Sequence, residues 1–322
     1  MAFNLYKEIL DAEKRIGDIV RKTPVDVSPY LSELCGCNVY LKWESEQLTG
    51  SFKIRGALNK ILSIDKKIRK NGVVAYSTGN HALAVAYAAK LTGIEAVIYV
   101  PFNTPREKLE LLKHYPISVR TYGKSTDEPE ITMRAREFAK KNSMTFVSPY
   151  NDPKIVAGQG TIGYELWQQI HGIDAVFVCV GGGGLISGIG GYLKAKNSSI
   201  MVVGCEPKNS PAMSKSIKAG KVIDVDIKET LSDGSAGNNE KGTITFDLCR
   251  EYVDDWVAVS EMEIANSMRL VLEKHHKLIE GAAAVPLAAL LKEKDEYKGK
   301  NVAVVICGSN IGIEKLRKIL GN

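Results

Sequence analysis

Residues 49–57 are Thr-Gly-Ser-Phe-Lys-Ile-Arg-Gly-Ala, and they follow the pair Lys42-x-Glu44. A lysine at the start of a helix lies against the positive end of the helix dipole and is normally a solvated side chain. Lys53 is instead flanked by Phe52 and tied to a Thr-Gly-Ser turn. A lysine held near an anion-binding site can form a Schiff base with an aldehyde cofactor. The stretch therefore predicts a reactive lysine at position 53.

Short β-rich runs alternate with helical patterns on both sides of this stretch. The predicted strands are residues 39–43, 73–76, 96–100, 117–122, 175–180, 201–205 and 302–306. The predicted helices include residues 51–62, 81–91, 105–114, 128–141, 185–195 and 261–275. Continuous apolar strands separated by helices indicate a parallel sheet covered on both faces. The sequence therefore predicts a doubly wound α/β architecture, whose ligands bind at the carboxyl ends of the strands.

The composition is ordinary for a soluble globular protein. The 322 residues are 44% hydrophobic and 25% charged, with a net charge of +6. The densest basic run, residues 66–70, contains no aromatic side chain that could stack on a base, so we expect no nucleic-acid partner. The N-terminal residues 1–11 mix charges into a helical pattern, unlike a signal peptide, and apolar runs such as 175–180 are too short to span a bilayer. With six dispersed cysteines, we expect a cytoplasmic protein without disulfides or a membrane partner.

Three predicted strands end in small polar residues. The first junction consists of Ser77, Thr78, Gly79, Asn80 and His81, and the third of Cys307, Gly308, Ser309 and Asn310. Free N–H groups at the start of a helix bind anions, so the first junction would accept a carboxylate or a phosphate equally well. A simple helix cap would explain only one or two of its residues. We interpret both junctions as parts of a binding site, although a buried thiol is more often core packing.

The second junction consists of Gly181, Gly182, Gly183 and Gly184. Consecutive glycines let the backbone wrap a group with its amides pointing inward. The spacing Gly182-x-Gly184, with Glu206 at the end of the next strand, is also close to a dinucleotide fingerprint, although Ser187 occupies the third glycine position. The junction therefore predicts a phosphate-binding loop and leaves its ligand open, with an NAD-dependent oxidoreductase as one alternative.

Taken together, these motifs resemble the serine/threonine dehydratase–serine racemase family of the fold-type II pyridoxal-phosphate enzymes. Residues 51–57 match the cofactor-lysine motif of that family, residues 77–81 resemble its asparagine loop and residues 181–184 its phosphate loop. Further similar stretches are residues 157–161, 233–234 and 279–282, so the likeness covers essentially the whole chain. The resemblance implies a two-lobed, tryptophan synthase beta-like fold with parallel-rich sheets, and a homodimer. The large cofactor-binding domain would comprise residues 1–47 and 146–322, and the small domain residues 48–145, inserted after the first strand.

The resemblance also implies a role for each site residue. Lys53 would carry pyridoxal 5'-phosphate and remove the Cα proton. The remaining cofactor contacts would come from Phe52, Asn80, Gly181, Gly182, Gly183, Gly184, Glu280 and Cys307. The substrate carboxylate would be bound by Ser77, Thr78, Gly79, Asn80 and His81. Cys307 would face the pyridine nitrogen as a neutral thiol, which favours β-elimination over transamination because the ring is then a weaker electron sink.

The activity that the resemblance implies is the dehydration of L-threonine or L-serine to a 2-oxo acid and ammonia. Racemisation of serine stays open because Thr78 keeps a hydroxyl where the racemases have serine and many dehydratases have alanine. Another 3-hydroxy amino acid also stays open, such as 3-hydroxyaspartate or one met in hydroxyectoine breakdown. We expect no metal site, since Glu206 is the only residue that matches the family's cation ligands, and the other two positions hold Ser210 and Ala212.

Overall fold

The computed structural model describes residues 4–104, 106–124 and 128–321. The strands are β1 (Val25–Val27), β2 (Asn38–Trp43), β3 (Val73–Tyr76), β4 (Ala96–Val100), β5 (Ser118–Thr121), β6 (Thr145–Phe146), β7 (Ala175–Cys179), β8 (Met201–Pro207), β9 (Asp255–Val259) and β10 (Asn301–Ile306). The helices are α1 (Leu5–Ile16), α2 (Pro29–Cys35), α3 (Lys53–Ser63), α4 (Lys66–Arg69), α5 (Asn80–Thr92), α6 (Arg106–Leu112), α7 (Glu128–Lys141), α8 (Pro153–Gln169), α9 (Gly184–Lys196), α10 (Ala212–Ala219), α11 (Ile244–Tyr252), α12 (Glu261–His275), α13 (Gly281–Lys292) and α14 (Ile313–Leu320). Among these helices, none is long and apolar enough to cross a membrane.

The larger sheet has six strands in the order β1-β2-β10-β7-β8-β9. All neighbouring pairs are parallel except β1 and β2, which are antiparallel. The central strands are continuous apolar runs that are buried on both faces, with helices such as α9 and α13 packed against them. Parallel pairing brings the carboxyl ends of β2, β7, β8 and β10 to the same edge of the sheet, where the second and third predicted junctions lie.

The smaller sheet has four parallel strands in the order β5-β4-β3-β6. Its strands come from the chain between β2 and α8, and α5 and α7 pack against them. The α/β fold with parallel sheets is therefore confirmed. The predicted domain limits stay a prediction, and β6 spans the predicted limit between residues 145 and 146.

The predicted strands 73–76 and 96–100 are confirmed to the residue, because each is a fully apolar run between turns. Among the strands of the described residues, three were not predicted from the sequence, namely β1, β6 and β9. The first two are only three and two residues long, and β9 is a sheet edge with an exposed start. Predicted helix 105–114 is shorter in the structure, where α6 spans Arg106–Leu112, and Pro105 lies outside the described residues.

A buried ionic cluster joins α3 and α8 to the larger sheet. It consists of Lys42 on β2, Glu44 directly after β2, Arg55 on α3 and Glu165 on α8. The Arg55 guanidinium donates to Glu44 Oε2 at 2.8 Å and to Glu165 Oε1 at 2.6 Å. Arg55 also donates to Thr161 Oγ1 at 3.1 Å. Since Arg55 lies two residues after Lys53, the cluster fixes the start of α3 against the larger sheet.

Candidate active site

A cavity lies between the two sheets at the carboxyl edge of the larger one. Its empty volume is about 520 Å³, a figure that includes space open to solvent. The lining residues are Phe52, Lys53, Asn80, Pro149, Tyr150, Gln159, Cys179, Gly181, Gly182, Gly183, Gly184, Leu185, Gly234, Ser235, Glu280, Ala282 and Cys307. The structure therefore brings together all nine residues that were predicted to contact the cofactor, which come from distant parts of the chain.

Lys53 lies in the first turn of α3, with its amine in the cavity. Its Nζ donates to the Pro149 carbonyl oxygen at 3.0 Å and lies 5.1 Å from the centre of the Phe52 ring. Burial lowers the pKa of the Lys53 ammonium to about 8, although Cys307 and Glu280 favour its charged form. A neutral amine is the nucleophilic form, so Lys53 is prepared to react with a carbonyl carbon near neutral pH.

The glycine junction forms a close-fitting loop between β7 and α9. A Cβ atom on Gly182 would lie 2.3 Å from the Tyr150 ring, so only glycine fits against that ring. Gly183 has a φ of +80° and precedes the start of α9, which has no side-chain cap. The first N–H groups of a helix have no intrahelical partner, and the positive end of the helix dipole favours an anion there. The loop can therefore hold a phosphate without a cationic side chain.

Glu280 and Asn80 form a hydrogen-bonded pair at the opposite wall of the cavity. Asn80 Nδ2 donates to Glu280 Oε1 at 2.8 Å, and Asn310 Nδ2 donates to Asn80 Oδ1 at 2.7 Å. Burial, and next the charge of Asp233, raise the pKa of the Glu280 carboxyl to about 7, against the hydrogen bonds from Asn80 and from the Asn310 backbone. The carboxyl of Glu280 can therefore exchange a proton near neutral pH.

Cys307 lies at the end of β10 with its thiol in the cavity. Burial raises the pKa of this thiol well above its usual value, and the neighbouring Cys179 and Glu280 raise it further. The thiol of Cys307 is therefore neutral at physiological pH. A neutral thiol would not keep a pyridine nitrogen protonated.

The asparagine junction contributes to the cavity chiefly through Asn80. Ser77, Thr78, Gly79 and His81 are not among the residues that line it. The His81 Nε2 contacts the Val147 carbonyl oxygen at 2.9 Å, and burial together with Lys53 lowers the pKa of His81 to about 3. The imidazole of His81 is therefore neutral and is directed toward Val147, the residue after β6. The α5 start has no side-chain cap, and a Cβ on Gly79 would meet nothing within 4 Å, so backbone N–H groups remain accessible there.

Glu206 does not fit the dinucleotide interpretation of the glycine loop. Its carboxylate accepts the backbone N–H groups of Met213 at 2.9 Å and Ser214 at 3.1 Å, so it caps the start of α10. A ribose hydroxyl would have to displace these bonds. Ser210 Oγ accepts the Gly237 N–H at 3.1 Å. Within the described residues, no three His, Cys, Asp or Glu side chains are grouped to hold a metal ion.

Eight lining residues were not predicted as site residues, namely Pro149, Tyr150, Gln159, Cys179, Leu185, Gly234, Ser235 and Ala282. Tyr150 follows β6, whose two residues gave no strand signal from which its position could be predicted. Gln159 and Ser235 lie in or beside stretches that were noted only for their family likeness. Cys179 is the last residue of β7 and lies two residues before Gly181, and only this position at a strand end could have indicated it.

These residues fit pyridoxal phosphate as a ligand. Lys53 offers an amine of lowered pKa for an aldehyde, and the loop around Gly182 offers N–H groups in a cradle that a side chain would fill. Asn80 and Cys307 also line the cavity. Asn80 offers an amide for a ring hydroxyl, and Cys307 offers a neutral thiol for a ring nitrogen. The chemistry of each wall thus matches a different part of one molecule.

Comparisons with known proteins agree with this fit. A family model described as pyridoxal-phosphate dependent enzyme matches residues 16–308. The L-threonine ammonia-lyase of Thermotoga maritima is 42% identical over 315 residues, covering 98% of this chain and 77% of that protein. Maize serine racemase superposes with a TM-score of 0.91 at 33% identity, covering 98% of this chain and 96% of that one. The processed form of threonine deaminase isoform 2 from Solanum lycopersicum superposes with a TM-score of 0.93 at 31% identity, covering 100% and 94%. The chain therefore belongs to the family of pyridoxal-phosphate-dependent enzymes.

Proposed function

We propose that the protein is an ammonia-lyase that converts L-threonine or L-serine to the corresponding 2-oxo acid and ammonia. The observation that carries the proposal is the placement of the Lys53 amine in one buried cavity with the neutral thiol of Cys307. The names of the similar proteins support it, because the relative in Thermotoga maritima is an L-threonine ammonia-lyase and that in Solanum lycopersicum a threonine deaminase.

The protonation states of Lys53 and Cys307 support elimination. Bound pyridoxal phosphate supplies an electron sink for the pair released when the Cα proton leaves. The Lys53 amine, with its lowered pKa, is the base that takes this proton. Cys307 stays neutral and so would give the ring nitrogen no anionic partner to keep it protonated. The ring would then be a weaker electron sink, which favours expulsion of the β-hydroxyl. The uncapped start of α5 is the anion site for the substrate carboxylate.

Racemisation of serine is the second candidate, and the superposition on maize serine racemase favours it. A racemase needs a proton donor on the face opposite the lysine, and Thr78 carries a hydroxyl at the predicted position. Thr78 is absent from the residues that line the cavity, whereas Lys53 is among them. We therefore rank elimination above racemisation.

The first test is 2-oxo acid release by the cofactor-loaded enzyme, given L-threonine and L-serine in separate reactions. We expect steady release of 2-oxo acid from at least one of them. The release is measured with lactate dehydrogenase as the coupling enzyme, which reduces the product. Formation of D-serine without oxo acid would instead favour the racemase. If neither product forms, the proposal is wrong as stated, and 3-hydroxyaspartate and bulkier hydroxy amino acids become the substrates to test.

The glycine loop gives a prediction about cofactor binding. A Gly182→Ala substitution would place its Cβ against the Tyr150 ring, where there is no room for it. Because overpacking of this kind costs about 1–3 kcal/mol, we expect pyridoxal phosphate to bind the full-length variant roughly 10–100-fold more weakly. The measurement is an absorbance titration of the cofactor-free protein. Gly220→Ala, which strains a left-handed position at the end of α10, is the control and should bind the cofactor as the parent does.

We also propose that the enzyme is a cytoplasmic homodimer. All six cysteines are free thiols, which suits a reducing compartment. Val27, Tyr30 and Leu34 are exposed apolar side chains on the edge strand β1 and the adjacent helix α2, where a second copy could bind. Light scattering on the purified enzyme tests the oligomeric state, and a monomer at micromolar concentration would contradict it.

A further inference from the structure

Asn310 connects the loop after β10 to the wall of the cavity. Its Nδ2 donates to the Thr49 carbonyl oxygen at 2.9 Å and to Asn80 Oδ1 at 2.7 Å. Asn80 Nδ2 in turn donates to Glu280 Oε1 at 2.8 Å. Asn80 and Glu280 line the cavity, whereas Asn310 does not. We call this chain of hydrogen bonds, from the Thr49 carbonyl through Asn310 and Asn80 to Glu280, the amide relay.

The relay fixes which way each amide faces. A main-chain carbonyl can only accept a hydrogen bond, so the Thr49 oxygen requires the NH₂ group of Asn310 on its side. That NH₂ group also faces Asn80, which must therefore present its oxygen to Asn310. The NH₂ group of Asn80 is then directed toward Glu280. The orientation of Asn80 thus follows from a backbone carbonyl two hydrogen bonds away.

The orientation decides what Asn80 can offer a ligand. An NH₂ group carries two N–H donors, and Glu280 engages one of them, so the second can donate to a group in the cavity. If the amide were reversed, its oxygen would face Glu280 Oε1, and two acceptors would oppose each other unless Glu280 were protonated. A reversed Asn80 would therefore lose its donor toward the ligand and its bond to the ionised carboxylate together.

The position of Asn310 is itself held by the backbone around it. The backbone N–H of Asn310 donates to Glu280, whose own N–H donates to the Gly308 carbonyl at 3.1 Å. On the other side, Gly50 has a φ of +69°, and a Cβ there would lie 2.7 Å from Asn310 Oδ1. The turn before Lys53 is thus shaped to admit this side chain closely. The Asn310 side chain is exposed to solvent, and its amide is held by the two hydrogen bonds that it donates to Thr49 and Asn80.

We propose that Asn310 is a positioning residue that holds the Asn80 amide with its N–H toward the cofactor's ring. The proposal rests on the cofactor site described above and extends it to a residue outside the cavity. Asn310 acts through Asn80 and does not touch the reacting atoms. The same side chain ties the turn before Lys53 to the asparagine junction, through Thr49 and Asn80.

The test compares Asn310→Asp with Asn310→Ala in the full-length enzyme. Aspartate has the same shape but cannot donate, so it would accept from the NH₂ group of Asn80 and reverse that amide. Alanine only removes the constraint. We therefore expect pyridoxal phosphate to bind about tenfold more weakly to the alanine variant and about 100-fold more weakly to the aspartate variant, since an opposed pair of buried acceptors costs more than a lost bond. The readouts are absorbance titration of the cofactor-free protein and the pH dependence of the bound cofactor's visible band.

Asn301 provides the matched control. It is the first residue of β10, whereas Asn310 lies in the loop after the last residue of that strand. Asn301 Nδ2 donates to the Gly172 carbonyl at 2.8 Å and its Oδ1 accepts from Asn38 at 2.8 Å, so it too links a carbonyl to an asparagine. Asn301→Asp and Asn301→Ala should bind pyridoxal phosphate as the parent does, whatever they cost in thermal stability.

Three results would overturn the relay: an aspartate variant that binds no worse than the alanine variant, an unshifted pH dependence of the band in both, or equal losses in the Asn301 controls. If Asn310→Asp does not fold, Asn310→Ala against Asn301→Ala still decides, because only the first is expected to weaken binding. Failure of the cofactor site itself would look different, since the parent protein would then show no visible band with pyridoxal phosphate.

Discussion

A Lys53→Ala variant is expected to lose the visible band of the bound cofactor and at least about 10³-fold of its turnover, because removing a residue that serves as both nucleophile and base removes two contributions at once. The Lys53 amine makes one hydrogen bond to the protein, to the Pro149 carbonyl, so its removal should leave the fold intact. The measurements are the absorption spectrum with pyridoxal phosphate and single-turnover release of 2-oxo acid.

Lys60 is the matched control for this experiment. It lies on the same helix α3 and pairs with Asp152 at 2.6 Å, outside the cavity. Lys60→Ala should keep the visible band and turn over within about twofold of the parent, because a partly exposed ion pair contributes little. Turnover by Lys53→Ala within tenfold of the parent would assign the base to another residue and contradict the proposed role.

The parts of the site that the sequence could predict are those in which one short segment carries the chemistry. Residues 51–57, 181–184 and 307–310 each follow a strand end or open a helix, and a strand end in a parallel sheet faces the ligand wherever the strand lies. The element types followed from the same local patterns. The antiparallel pairing of β1 and the two-residue β6 could not be predicted, since short edge strands form by pairing and carry little pattern of their own.

The contacts that fix those segments could not be predicted, because they join residues far apart in the chain. Asn310 and Asn80 are 230 residues apart, and Arg55 and Glu165 are 110 residues apart. A polar residue in a single sequence does not indicate whether its partner is water or a distant side chain. The same limit holds for His81, whose ring contacts the Val147 carbonyl oxygen 66 residues away. The predicted role of residues 77–81 in binding the substrate carboxylate stays a prediction.

The ionic cluster gives the largest expected effect on stability. An Arg55→Met substitution would leave the carboxylates of Glu44 and Glu165 buried without their main cation, with only Lys42 in contact with Glu165. Breaking a buried ion pair from one side costs about 3–5 kcal/mol. For a chain of this size we expect the thermal unfolding midpoint to fall by roughly 4–7 °C at pH 7.5, measured by circular dichroism on the holoenzyme.

The pH dependence separates lost charge pairing from lost packing. In the parent, Arg55 and Lys42 outweigh burial and lower the pKa of Glu44, so this stability is present above the unfolded pKa of 4.5 and is lost as the pH falls through the folded value. In Arg55→Met, Lys42 and Thr23 still lower the Glu44 pKa, but without Arg55 we expect burial to outweigh them and raise it. The folded variant would then gain stability by taking up a proton as the pH falls. The difference between parent and variant should therefore shrink between pH 7.5 and pH 5. Arg136→Ala, which breaks a partly exposed pair with Glu240, is the control and should cost less than about 1 kcal/mol. A difference for Arg55→Met that stays constant with pH would mean that shape, and not charge, holds α3 in place.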